Sequence, residues 1–72
     1  MSEPITILVN GEPLPIEPGQ TLLDLLRTLE VDPELGGVAI AVGLRVIPKS
    51  AWSQTPMNPG DEIEIIRATA GG

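Results

Sequence analysis

Residues 5–17 read ITILVNGEPLPIE, and this stretch predicts how the fold begins. The first five residues are apolar or β-branched and favour a strand. Asn10-Gly11 follows directly and is the strongest short-range signal for a two-residue hairpin turn. After the turn, Pro13 and Pro15 cannot donate to a hydrogen-bond ladder. We therefore expect a β-hairpin whose second strand, roughly Glu12–Glu17, lies at an edge of a sheet.

An amphipathic helix is predicted from the next stretch, QTLLDLLRTLE at residues 20–30. Thr21 with Asp24 three residues later resembles a capping box, with Asp in place of the usual Glu or Gln. Four leucines recur at helical spacing and form one apolar stripe. They are Leu22, Leu25, Leu26 and Leu29. In a small domain with one such helix, we expect this stripe to pack into the core.

Three later runs predict the remaining strands. They are VAIAV at residues 38–42, LRVIP at 44–48 and EIEIIRA at 62–68. The intervening SAWSQTPM at residues 50–57 is expected to be irregular. The order of elements predicts an α+β domain in which one main helix packs across one face of a mixed sheet of four to five strands. We expect this domain to span residues 1–68 and to be followed by a flexible tail at residues 69–72.

Alternation within the strands separates a core face from an open face of the sheet. The predicted core consists of Ile5, Ile7, Leu22, Leu26, Ile40, Ile63 and Ile65. In VAIAV the larger residues would face the helix, which leaves Ala39 and Ala41 on the open face. Ile66 interrupts the polar–apolar alternation and would point outward beside these two alanines. These three residues are therefore the predicted contacts for a partner, although Ile66 could instead fold over an edge of the core.

The composition excludes several kinds of chemistry. The 72 residues include no cysteine and no histidine, so a thiolate nucleophile, a Cys or His metal site and a Ser–His relay are all impossible. The sequence also has no phosphate-binding loop of the GxxxxGK[ST] type. A domain of this size is too small for a deep catalytic cleft. We therefore expect a protein that is not an enzyme and that binds no metal or cofactor.

The formal net charge of −6 limits the kinds of partner. Nucleic acid is disfavoured because phosphate binding needs a basic surface, whereas a protein with a basic docking surface would be attracted. The same charge could serve solubility alone. No apolar segment approaches the roughly 18 residues of a membrane span, and MSEPITI lacks the basic start of a signal peptide. Because no disulfide is available, a reducing, cytoplasmic setting is expected.

The last four residues are Thr69, Ala70, Gly71 and Gly72. Two glycines let a backbone lie extended in a narrow channel that a Cβ would block. The group presented for chemistry would then be the terminal carboxylate, which needs activation, for example by ATP-dependent adenylation, before a nucleophile can attack it. Since the chain has no nucleotide-binding motif, another protein must supply that step. This pattern favours a carrier and co-substrate of partner enzymes.

The order of several segments resembles the ThiS family of bacterial thiamine-pathway sulfur carriers, which have the ubiquitin-like β-grasp fold. The segments are ILVNGE, TLLDLLRTL, VAIAV, VIPKSAW, NPGDEIEII and the terminal AGG. The resemblance implies that an E1-like, ThiF-type enzyme consumes ATP to adenylate the terminal glycine. It also implies conversion to a thiocarboxylate, with sulfur from a donor system such as a cysteine desulfurase. A ThiG-type thiazole synthase would then receive the sulfur.

The resemblance assigns roles to individual residues. Gly72 matches the sulfur-bearing glycine of the family, and Gly71 matches the penultimate one. Trp52 matches a tryptophan often found after a PRS-type stretch, here PKS with Lys49 in place of the frequent arginine. A lone aromatic residue in an aliphatic domain favours a structural role for Trp52. Gly43 stands where the family often has asparagine, which leaves the local turn open.

Three other functions are compatible with parts of this pattern. The small subunit of molybdopterin synthase shares the fold and the Gly-Gly ending, but the NGE hairpin and the VIPKSAW segment favour the thiamine carrier. A ubiquitin-like protein modifier would share the activation step and end in an isopeptide bond. A plain interaction domain would carry its terminal glycines incidentally. Removal of Gly72 separates this last alternative from a carrier.

Overall fold

The computed structural model of the protein describes residues 3–34 and 36–68. These residues form one mixed five-stranded sheet with the strand order β2-β1-β5-β3-β4. The elements in chain order are β1 (Ile5–Val9), β2 (Glu12–Ile16), α1 (Leu22–Thr28), β3 (Val38–Val42), β4 (Arg45–Ile47), a 3-10 helix (Lys49–Gln54) and β5 (Glu62–Arg67). Within this sheet β1 and β5 are parallel, and the other neighbouring strands of the described ranges are antiparallel. The predicted α+β fold with one main helix is confirmed.

The β1–β2 hairpin has the predicted two-residue turn. Asn10 and Gly11 adopt φ values of 50° and 86°, which are the left-handed values of a type I′ turn. Val9 pairs with Glu12 across the turn, and β2 lies at the edge of the sheet. At the β3–β4 turn Gly43 has φ +62°. Glycine and asparagine both adopt this conformation readily, so Gly43 fits the turn that the sequence had left open.

The helix begins with the predicted capping box. The Asp24 N–H donates to the Thr21 hydroxyl, while the Thr21 N–H donates to the Asp24 carboxylate. Leu22, Leu25 and Leu26 are buried, as the stripe predicted. The expectation for Leu29 was wrong. This residue is the C-cap and is 38% exposed, because the helix ends before the last leucine of the stripe can turn toward the sheet.

The core lies between α1 and the facing side of the sheet. Of the seven predicted core residues, five are buried, and Ile5 and Ile65 are partly buried against them. The buried residues are Ile7, Ile16, Leu22, Leu25, Leu26, Val31, Ile40, Trp52, Met57 and Ile63. Burial of a side chain of this size stabilises the fold by about 1.5–3 kcal/mol. The alternation of the strands therefore identified most of the core.

The segment after β4 is more regular than its sequence predicted. Residues 50–57 were expected to be irregular, but Lys49–Gln54 forms a 3-10 helix. Trp52 in this helix is only 3% exposed, and its indole N–H donates to the carbonyl of Ile47 at 2.9 Å. The structural role favoured for Trp52 is confirmed. A single 3-10 segment shows no extended apolar period, so its sequence resembles a loop until the tertiary contacts of Trp52 are known.

Candidate functional site

The face of the sheet opposite α1 carries the three residues predicted to contact a partner. Ala39 pairs with Ile66, and Ala41 pairs with Glu64, in the ladder between β3 and β5. Ile66 is 55% exposed, whereas the two alanines are half-buried. The three predicted residues therefore lie together on the open face. Their contact with a partner stays a prediction.

Val46 extends this surface across the neighbouring strand. It pairs with Ala41 and is 69% exposed. We call the surface formed by Ala39, Ala41, Val46 and Ile66 the apolar patch. Sequence reasoning missed Val46. The signal was present, because Ile47 packs against the core and the preceding residue of a strand must point to the opposite face.

A cavity of about 650 Å³ is lined in part by Glu64, the strand partner of Ala41 in the apolar patch. Leu8, Leu44 and the carboxylates of Glu62 and Glu64 are among the residues that line it. The Leu44 side chain is fully exposed in the turn between β3 and β4. Exposed apolar side chains next to acidic groups suit a protein partner that presents apolar side chains bordered by basic ones.

The central strand β5 leads directly to the tail, which comprises residues 69–72. Strand β5 lies between β1 and β3, and its Ile63 is buried in the core. At its end, the N–H of Ala68 donates to the carbonyl of Gly37 at 2.7 Å. The four predicted tail residues lie outside the described residues, so the roles assigned to them stay predictions. They are Thr69, Ala70, Gly71 and Gly72.

Two residues from other parts of the chain contact the end of β5. The side-chain carbonyl of Asn10 accepts a hydrogen bond from the N–H of Ile65 at 2.8 Å, and its amide group lies 3.4 Å from the carbonyl of Ile65. Gly37 has φ +85°, and a Cβ at that position would lie 3.1 Å from the carbonyl oxygen of Ala68. Sequence reasoning missed both contacts, since Asn10 signalled only a turn.

The described ranges contain neither a metal-binding cluster nor a membrane-spanning helix. No group of three or more Asp or Glu side chains within residues 3–34 and 36–68 could hold a metal ion. In the same part of the chain, every helix is too short to cross a bilayer.

A mixed five-stranded sheet with one main helix packed across one face places the protein in the ubiquitin-like β-grasp class. The fold is shared with the crystal structure of the thiamine biosynthesis protein (ThiS) from Geobacter metallireducens. That structure superposes with a TM-score of 0.77 and 24% identity, over 94% of this chain and 100% of the other. A structural match at 24% sequence identity establishes the fold. The family is established by the sequence comparisons that follow.

The sequence model of the ThiS family matches residues 7–72. The sulfur carrier protein ThiS of Escherichia coli is 33% identical over 66 residues, which are 92% of this chain and 97% of the relative. The sulfur carrier protein ThiS of Thermus thermophilus is also 33% identical, over 92% and 98% of the two chains. A thiazole synthase from Paramagnetospirillum magneticum is 35% identical over 92% of this chain but only 20% of its own length.

The chain belongs to the ThiS family. It is a sulfur carrier of thiamine biosynthesis and is not itself a catalyst. The family resemblance, the fold and the carrier function predicted from the sequence are thereby confirmed.

Proposed function

We propose that the carboxylate of Gly72 is the group that carries sulfur. An oxygen of this carboxylate attacks the α-phosphorus of ATP in the active site of an E1-like enzyme, and pyrophosphate leaves. The outer sulfur of a persulfide on a desulfurase-type donor, derived ultimately from cysteine, then attacks the carbonyl carbon of the acyl-adenylate, and AMP leaves. The product is an acyl disulfide that joins carrier and donor. A thiol attacks the donor's sulfur in this bond, forms a disulfide with the donor and releases the terminus as a thiocarboxylate. ATP is consumed by the partner, and the carrier retains no cofactor.

One observation carries this proposal: the family match extends to residue 72 in a chain that contains no cysteine. Without a thiol, no side chain of the protein can hold a persulfide. We therefore assign the sulfur to the carboxylate of Gly72. Gly71 and Gly72 also carry no side chain, which suits a narrow channel leading to ATP.

We propose a thiazole synthase as the protein that receives the sulfur. The thiazole synthase from Paramagnetospirillum magneticum contains a segment similar to nearly all of this chain, within a protein about five times as long. A carrier-like segment joined to a synthase brings a sulfur donor and its acceptor into one molecule. We place the reaction in the cytoplasm, where ATP is available and a reducing setting preserves thiol-level sulfur.

Partner docking would use the apolar patch. Its members lie on the same face as Glu62 and Glu64, and Ile66 lies two residues before the last described residue, Ala68. A partner that covers this patch would hold the carrier close to the start of the tail. Association of this kind orients the terminal carboxylate toward the reacting phosphate, and a misplacement of about 1 Å at a reacting centre can cost about 100-fold in rate.

Removal of Gly72 tests the chemistry. The shortened chain ends in the carboxylate of Gly71, so the reactive group is retained and only its reach changes. We expect ATP–pyrophosphate exchange with the activating enzyme to fall by at least about 100-fold. Intact mass after sulfur transfer should show replacement of one oxygen by sulfur in the full chain only. Equal exchange and sulfur transfer by the two chains would contradict the proposal.

Ile66→Asp tests the docking surface. An exposed strand position tolerates this change, but a carboxylate in the apolar patch would be buried against the partner without a counter-charge. We expect the KM for the carrier in the exchange assay to rise about tenfold or more. Ser53→Asp adds the same charge at an exposed position in the 3-10 helix and should leave KM unchanged. An equal effect of both variants, or unfolding of Ile66→Asp, would exclude the docking role.

A further inference from the structure

We infer that Asn10 is a positioning residue for the sulfur-carrying tail. Its side-chain amide forms hydrogen bonds with the end of β5, on the edge that faces β1 but lies beyond the last residue pair of the β1–β5 ladder. This inference rests on the proposed function of Gly72. Asn10 lies in the hairpin turn, and its side chain reaches a strand 55 residues later in the chain.

The ladder between β1 and β5 is short. It pairs Leu8 with Glu62 and Val9 with Ile63, and the backbone N–H of Asn10 adds one hydrogen bond of 2.8 Å to the carbonyl of Ile63. β5 continues to Arg67. Among the residues that the structure describes, no strand pairs with this edge of β5 beyond Ile63.

The side chain of Asn10 takes the place of the missing next residue of β1. Its Oδ1 accepts from the N–H of Ile65 at 2.8 Å, and its Nδ2 donates to the carbonyl of Ile65 at 3.4 Å. A side-chain amide has one acceptor and one donor group arranged as in a peptide. It can therefore satisfy both backbone groups of Ile65 on this edge. The first bond has the length of a good hydrogen bond, and the second is long.

The opposite edge of β5 is held by β3 and by the loop that precedes it. Ile65, Ile66 and Arg67 pair with successive residues of β3, and Ala68 donates to Gly37. With Asn10 in place, the end of the strand is fixed from both sides immediately before the tail. Without it, the strand end would be free to pivot about its single ladder with β3.

The conformation of the turn favours asparagine at this position but does not require it. The turn requires φ near the observed 50°, and glycine meets that requirement without strain. Asn10→Gly therefore removes the contact with Ile65 and keeps the turn. Asn10→Asp keeps a turn-compatible residue and the oxygen that accepts from Ile65, but it loses the Nδ2 donor. The two variants separate the contact from the turn.

The contact of Asn10 with Ile65 has a functional consequence, because it fixes the position of the start of the tail relative to the apolar patch. Ile66 of the patch directly follows Ile65, and the reactive carboxylate is six residues beyond Ile66. If the strand end pivots in the free carrier, part of the binding free energy must restore its position before the tail enters the active site. The expected result is a higher KM for the carrier, with kcat unchanged once the complex has formed.

The test combines amide hydrogen exchange with steady-state kinetics. In Asn10→Gly we expect the amide of Ile65 to exchange about fivefold faster, the loss expected for one hydrogen bond, while the amide of Ile7 in β1 is unchanged. The KM in ATP–pyrophosphate exchange should rise by a similar factor at constant kcat. Asn10→Asp should keep the protection of Ile65 and show a smaller rise in KM.

Thr21→Ala is the matched control, because it weakens the helix cap without touching β5. If KM rises as much for Thr21→Ala as for Asn10→Gly, the effect of Asn10 is one of general stability, and the inference is overturned. Unchanged protection of Ile65, or faster exchange with unchanged KM, would also overturn it. Failure of the proposed function is recognised separately, since a chain lacking Gly72 would then support exchange as well as wild type whatever the result at Asn10.

Discussion

The carboxylate of Asp24 makes the stability of the helix cap depend on pH. It accepts hydrogen bonds from the backbone N–H of Thr21 at 3.0 Å and from the Thr21 hydroxyl at 3.1 Å. These bonds, with a smaller contribution from the charge of Arg27, hold the pKa of Asp24 below its ordinary value of 3.8. The helix cap is therefore strongest when this side chain is ionised.

The lowered pKa predicts how acid weakens the helix start. A carboxyl whose pKa is lower in the folded state stabilises the fold fully above its unfolded pKa, and this contribution is lost as the pH falls through the folded pKa. We expect Asp24→Asn to be less stable than wild type at neutral pH and equally stable in strong acid. Denaturant unfolding followed by the fluorescence of Trp52 measures the difference. A difference that persists unchanged well below pH 3.8 would contradict this explanation.

At the scale of elements, the loop before β3 limits how the final strand can end. Gly37 combines a left-handed φ of +85° with close approach to Ala68, whose carbonyl oxygen would lie 3.1 Å and whose Cβ would lie 3.3 Å from an added methyl group. Gly36, its neighbour, has a φ outside the left-handed range and open space around it. The two glycines of one turn therefore carry different constraints.

This contrast gives a paired prediction. Gly37→Ala should destabilise the protein by about 1 kcal/mol or more, because a left-handed conformation and a close contact are both imposed on alanine. Gly36→Ala should be neutral or slightly stabilising, since it reduces the freedom of the unfolded chain. Equilibrium unfolding of both variants provides the measurement. Equal stabilities would mean that the end of β5 shifts freely and that Gly37 does not constrain it.

The elements that could be predicted are those with a periodic pattern or a strong local signal. The Asn10-Gly11 turn, the capping box and the strand alternation all depend on residues that are close in sequence. The 3-10 helix has no such period and depends on burial of Trp52. Leu29 shows the opposite case, in which a correct period continues for one residue beyond the end of the helix.

At the scale of the whole molecule, the candidate site could be predicted in part. The open face followed from the small residues Ala39 and Ala41 alternating with larger ones. The contact of Asn10 with Ile65 could not be predicted, because it depends on the parallel pairing of the first and last strands. Sequence patterns indicate which face a residue occupies, whereas the contact of a side chain with the backbone of a distant strand depends on the register of the sheet.

The charge of the whole molecule predicts how the carrier associates with the activating enzyme proposed above. The net charge is −6, and two of the carboxylates, on Glu62 and Glu64, lie beside the apolar patch on the open face of the sheet. Attraction to a basic surface is screened over about 10 Å at 0.1 M salt, whereas apolar contacts persist. We therefore expect the KM for the carrier to rise with ionic strength, while kcat stays constant.

Variants with equal net charge locate the source of this effect. Replacing Glu62 and Glu64 together with glutamine should raise KM at low salt and flatten its dependence on ionic strength. Replacing Glu3 and Glu17 removes the same charge from exposed positions outside β5 and should preserve most of the dependence. If the attraction is local to the open face, the two double variants must differ in their dependence on ionic strength. A long-range effect of net charge alone would change the KM of both double variants equally. Identical salt profiles for the two double variants would therefore exclude the open face as the surface that meets the basic partner.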